Sequence, residues 1–150
     1  MSNLNTKPNP VDLRGIAPLL LVYDMPVSIR FYRDTLGFEL KQTAEIPEKE
    51  DNYTWALLNL NGIELMMEPK FPEKLRPSSH APEDKDMLLY FGCPDVDAAY
   101  ANLHAKGIEI KKPIITGYGF KALYVRDPRR LFTCISLAAK QIILPEIDFV

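Results

Sequence analysis

The sequence has few of the residues that would mark a special class. Two cysteines, Cys93 and Cys134, make neither a disulfide framework nor a zinc knuckle. Two histidines, His80 and His104, leave little material for a histidine-based centre. Neither sign of charge dominates: 18 basic against 20 acidic residues give a net charge of −2. Nucleic-acid binders are normally basic, with a clustered stripe. Here the basic residues are scattered, in short groups such as Lys111-Lys112 and Arg129-Arg130. Contact with nucleic acid or a polybasic hold on a membrane is therefore not expected. The longest apolar stretches, Ile16–Tyr23 and Leu131–Ile135, fall far short of the ~20 residues of a membrane span. No secretory leader is read at the start, so reduced thiols and a cytoplasmic location are the expectation.

What remains is an ordinary balance, 47% hydrophobic and 25% charged residues in a chain of 150. That length suits one domain, or two small halves sharing a core. The first thirteen residues (1–13) are polar, with Pro8 and Pro10, and read as an arm. Ile16–Tyr23 is apolar without alternation, the pattern of a strand covered on both faces. Asp24 caps a helix with Pro26 in its first turn. Met25, Ile29, Tyr32 and Leu36 recur at helical spacing, and Gly37 stops the helix. Phe38–Gln42 reads as a strand, and Ile46–Asn52 as a charged loop. Thr54–Leu60 and Ile63–Glu68 flank Asn61-Gly62, a strong hairpin signal because both turn residues need positive φ.

A Pro-rich linker spans 69–86. Met87–Cys93 is another strand, Asp95 caps a second helix carrying Val96, Ala99 and Leu103, and Gly107 closes it. Ile108–Lys111, Lys121–Arg126 and Leu131–Ser136 follow as strands, and 138–150 as a tail. The order of elements thus occurs twice. Asp24 and Asp95 lie 71 residues apart, Gly37 and Gly107 lie 70 apart. The reading is α+β: βαβββ modules at 14–68 and 87–137 that pair into a half-open mixed sheet, cleft inside and helices outside. Such clefts take small ligands.

The repeat carries a resemblance. Leu19-Leu20-Leu21-Val22-Tyr23-Asp24, Phe31-Tyr32-Arg33-Asp34-Thr35-Leu36-Gly37-Phe38, Pro94-Asp95-Val96-Asp97-Ala98-Ala99 and Tyr124-Val125-Arg126-Asp127-Pro128 resemble segments of the vicinal oxygen chelate superfamily, the glyoxalase, bleomycin resistance and ring-cleaving dioxygenase group. That family usually continues Asp-Pro-Asp-Gly-Asn; this chain reads Asp127-Pro128-Arg129-Arg130-Leu131. The resemblance implies four metal-ligand positions, which fall on Ala17, Glu64, Leu88 and Cys134. Alanine and leucine donate nothing, and Glu64 with Cys134 mixes a hard and a soft donor. No metal, no cofactor and no catalytic residue is therefore expected. A lyase, isomerase or dioxygenase would need an altered ligand set, for instance Glu64 with Glu68, His80 or Tyr90. Members without metal ligands resemble bleomycin resistance proteins, which implies a homodimer that sequesters a drug unchanged, and hence antibiotic resistance.

Strand alternation gives the cleft its candidate lining. From Ala17 it takes Leu19 and Leu21, from Glu64 it takes Met66, from Leu88 it takes Tyr90 and Gly92. From Cys134 it takes Phe132 and Ser136, and Trp55 and Leu57 are neighbours. The set suits a small, partly aromatic molecule. Glu64 is either an anchor for a cationic group or the partner of an internal cation such as Lys121. Cys134 reads as a packing residue before a nucleophile. Trp55, Tyr90 and Phe132 read equally as core or as cleft. His104 reads as a solvated helix residue and His80 as a loop residue.

Overall fold

The computed structural model describes residues 11–78, 88–117 and 119–128, and the backbone of 132–138. His80, Arg129-Arg130, most of the arm and the tail beyond Ala138 lie outside the described residues. So does the second part of the linker.

Each half builds a four-stranded sheet covered by a helix on one face. β1 (Leu19–Val22) leads through Asp24 into α1 (Met25–Arg30), and Asp24 Oδ1 accepts the Val27 N–H at 3.2 Å. The expected single helix does not run straight to Gly37. Its end, Phe31–Thr35, is a π-helical turn, in which the Leu36 N–H reaches back to the Phe31 carbonyl at 3.1 Å. The widened turn sends Tyr32 into the first core and lays Phe31 and Leu36 against the cores of both halves. Then come β2 (Glu39–Ala44), β3 (Trp55–Leu60) and β4 (Ile63–Pro69). Asn61 and Gly62 have φ of 52° and 84°, as the hairpin requires.

β5 (Leu89–Gly92) and α2 (Val96–Ala105) repeat the plan, with Asp95 Oδ1 accepting the Ala98 N–H at 2.9 Å. The strand expected at Ile108–Lys111 does not form. β6 (Ile114–Ile115) pairs with β7 (Phe120–Arg126) instead, while Ile108 and Ile110 pack on the second core outside the ladder. Alternating apolar residues thus signalled a buried edge there, not a hydrogen-bonded strand. β8 (Phe132–Ala138) completes the second sheet. The two sheets have the same order, β1-β4-β3-β2 and β5-β8-β7-β6. In each the first and last strands of the module are parallel neighbours.

β1 corrects an expectation. Its apolar run is not covered on both faces: Leu20 and Val22 are fully buried, but Leu19 and Leu21 are 41% and 43% exposed. The helix layer lies on one side only, so every second residue of an all-apolar strand faces outward.

The two halves of the chain pack on each other. The Phe38 and Phe91 rings meet edge to face at 6.0 Å. Tyr32 Oη donates to Asp127 Oδ2 at 2.8 Å, with both residues buried. Lys106 Nζ donates to the Thr35 carbonyl at 2.8 Å. The charged loop before β3 is also fixed. Arg33 grips Asp51 through two parallel bonds of 2.8 and 3.0 Å, and Asp51 is only 4% exposed. The Asp51 and Asp34 carboxylates hold the Arg33 guanidinium further above its already high range. Where the linker begins, Arg76 lies over the Tyr23 ring and pairs with Asp24 at 3.3 Å.

Candidate functional site

The uncovered face of the first sheet is built by register. Leu19 lies opposite Met66, Met66 opposite Leu57 and Leu57 opposite Gln42, a row across all four strands. Leu21 lies opposite Glu68, and Asn59 opposite Glu64. Their alternates Ala56, Leu58, Leu65 and Met67 are buried against the helix side. Trp55, Leu57, Glu64 and Met66 therefore share the open face with Leu19 and Leu21, and each is half-buried. In the second sheet Leu123 and Val125 are buried under α2. Phe120, Ala122, Tyr124 and Arg126 alternate with them and face the other way. Leu88 and Tyr90 are exposed, Tyr90 by 51%. The ladder runs Tyr90–Cys134–Tyr124, and Arg126 lies opposite Phe132. Phe132 and Cys134 are placed by their backbone alone.

Tyr124 and Arg126 are additions that sequence reasoning missed. The run Ala122–Val125 is apolar or aromatic throughout, so its two faces cannot be told apart by composition. Only the buried pair Leu123 and Val125 reveals the alternation. Beside them Glu109, Ile110, Lys111, Lys112 and Ile114 complete an open cavity of about 760 Å³. His104, on α2, is exposed and its ring lies 5.6 Å from that of Tyr100, away from both sheets' open faces.

Glu64 does have an internal cation, but it is Lys41, not Lys121. Lys41 Nζ lies 2.9 Å from Glu64 Oε1, both side chains being partly exposed. Lys41 stands at the irregularity between Leu40 and Gln42, where β2 shifts register against β3. Such an extra residue re-aims a side chain. Lys121 pairs instead with Asp97 of α2, on the helix side.

The register also reassigns a corner. Leu19 and Tyr90 are equivalent in the repeat, 71 residues apart. Leu19 opposes Met66, and Tyr90 opposes Cys134. Met66 is thus the counterpart of Cys134, and Glu64 lies two residues earlier. Among the described residues, this corner offers a divalent metal little to bind. The Glu64 carboxylate is already paired with Lys41; Asn59 lies opposite it on β3, and the next row of the face, Met66 with Leu57 and Leu19, supplies only a thioether and hydrocarbon. Among the described residues, no three of His, Cys, Asp and Glu come together in a metal-holding group. None of their helices is long and apolar enough to cross a membrane.

The profile of the Glyoxalase/Bleomycin resistance protein/Dioxygenase superfamily matches residues 15–132. The chain belongs to this superfamily. Solved structures of the same fold agree. A glyoxalase/bleomycin resistance protein/dioxygenase from Nocardioides superposes with a TM-score of 0.62 at 20% identity, covering 84% of each chain. TnmS3, an antibiotic binding protein from Streptomyces sp. CB03234, gives 0.62 at 20% identity, over 83% of this chain and 96% of its own. A lactoylglutathione lyase from Agrobacterium tumefaciens gives 0.58 at 17% identity, over 87% of this chain and 95% of its own. No curated protein sequence matches the chain.

Proposed function

We propose that this superfamily member is a metal-free binding protein. It sequesters a small, partly aromatic molecule, of the kind represented by antibiotics, on the open faces of its sheets, and it works as a homodimer in the cytoplasm. One observation carries the reading. β1, whose Leu20 and Val22 are fully buried, presents Leu19 and Leu21 outward, and Leu88 and Tyr90 alternate in the same way with the partly buried Leu89 and Phe91; all four are at least 38% exposed. Apolar area left in water is a standing driving force for whatever covers it. An aromatic ligand would gain area burial at about 25 cal/mol per Å² plus stacking on Tyr90 and Trp55. The donor set around Glu64 supports binding over metal chemistry. TnmS3 supports the ligand class, as an antibiotic binding protein of the same fold.

Trp55 is the single tryptophan of the chain and stands on this face. Its fluorescence provides the test, against a panel of aromatic antibiotics, with the ligand recovered afterwards by mass spectrometry. The reading expects quenching that saturates and a ligand returned unchanged. Stoichiometric copurifying zinc, nickel, iron or manganese, with turnover that a chelator abolishes, would instead establish an enzyme.

A further inference from the structure

We infer that the junction between the two halves is a second binding site, separate from the open sheet faces, for a small neutral bicyclic molecule. A cavity of about 280 Å³ opens there. Leu36 and Phe38 wall it from the first module, with Leu60 and Ile63 from the ends of the β3–β4 hairpin. Phe91 of β5 and Leu103 of α2 close it from the second. Phe38 and Leu103 belong to the buried cores of the two halves, so an occupant touches both. At the mouth stand Asn61 and Asn102, both exposed.

Size and charge define the occupant. An apolar cavity of about 150 Å³ accepts one benzene ring, so this one accepts about two fused rings, roughly ten non-hydrogen atoms. No charged residue lines it among the described residues. An ionised ligand would lose its hydration and find no counter-charge. The two asparagine amides offer both donors and acceptors, which suits a ring N–H or hydroxyl at one end of a neutral molecule. Interfaces between structural units are common places for such pockets. The site is distinct from the open face because β5 alternates: Tyr90 is directed to the open face and Phe91 to the junction.

Cys93 also lines the cavity and is half-buried, which makes it a reporter. Indole, neutral and bicyclic with one N–H, is the probe. The whole chain is alkylated with iodoacetamide at increasing indole, and each cysteine peptide is followed by mass spectrometry. At ten times its dissociation constant indole leaves about one site in ten empty, so Cys93 alkylation slows about tenfold. The Cys134 rate stays constant, and the melting temperature rises because the ligand bridges both cores. Ala99→Met, which extends a side chain into the cavity from α2, removes the protection. Acridine, one ring larger than the cavity holds, protects the unmodified chain less than indole at the same concentration, so the preference for size is read without any variant. Absence of Cys93 protection at millimolar indole overturns the site. So does protection of Cys134 in place of Cys93, or equal protection by acridine.

Discussion

The two halves share one plan and use their apolar residues differently. In the first, α1 and the π-helical turn bury a continuous core from Leu20 and Val22 through Ile29 and Tyr32 to Leu58 and Met67. In the second, among the described residues, the buried core comprises Val96, Leu103, Leu123 and Val125. Both leave apolar side chains in water on their open faces, Leu19 at 41% and Leu21 at 43% in the first, Tyr90 at 51% and Phe120 at 42% in the second. The first core carries the aromatic rings of Tyr32 and Phe38, whereas the described core of the second is aliphatic. A shared topology therefore does not imply a shared choice of core side chains.

Core truncation gives the largest effect that could break this contrast. Leu58→Ala, at a fully buried position in the first core, is expected to cost about 4 kcal/mol, and Leu103→Ala about 2 kcal/mol, within the range for buried leucines. Denaturant unfolding measures both, and equal costs would remove the distinction. Next in size is Arg33→Ala, which strands the buried Asp51 carboxylate and is expected to cost about 1–3 kcal/mol. Arg33→Ala with Asp51→Asn should recover part of that loss, and a double-mutant cycle would show no coupling if the pair were decorative.

On the open face, Tyr90→Ala should leave the melting temperature nearly unchanged and weaken ligand affinity about tenfold, roughly 1.4 kcal/mol. Calorimetry checks this with whichever aromatic compound quenches Trp55. A fall in melting temperature without loss of binding would move Tyr90 into the core. The smallest effect is a matter of pH. Lys49, hydrogen-bonded to Glu73 at 2.9 Å, holds that carboxyl below the usual glutamate range. A lowered carboxylate pKa stabilises the fold above the unfolded-state value, and the contribution disappears as pH falls through the folded-state value. Glu73→Gln should therefore differ slightly from the parent at neutral pH and converge with it in acid. Both side chains are largely exposed, so high salt should erase the difference too.

Much of the fold was legible because local chemistry dictated it. Asp24 and Asp95 cap helices by the only means a short carboxylate has, and Asn61-Gly62 turns where positive φ is required. The misreadings came where tertiary context decides. β1 looked doubly covered because a strand that lines an open face with Leu19 and Leu21 carries the same letters as a buried one. Ile108 and Ile110 alternated like a strand, yet they serve α2 from outside the ladder. At the site, face membership of Leu57, Trp55 and Met66 followed from period-two counting. The Lys41–Glu64 pair did not, because an irregularity in β2 obeys no period. Nor did the alignment of Met66 with Cys134, since the spacing between strands differs between the halves and only the ladder fixes it.

The buried bond from Tyr32 to Asp127 joins positions 95 residues apart. Enclosed together, a phenol and a carboxylate regain through this bond part of what they lose on leaving water, which makes the contact a latch between the modules. A chain able to close that latch on itself has an alternative to lending half of its body to a neighbour. In self-closure the latch acts together with the Phe38–Phe91 ring pair and the Lys106–Thr35 bond, which join the same two halves.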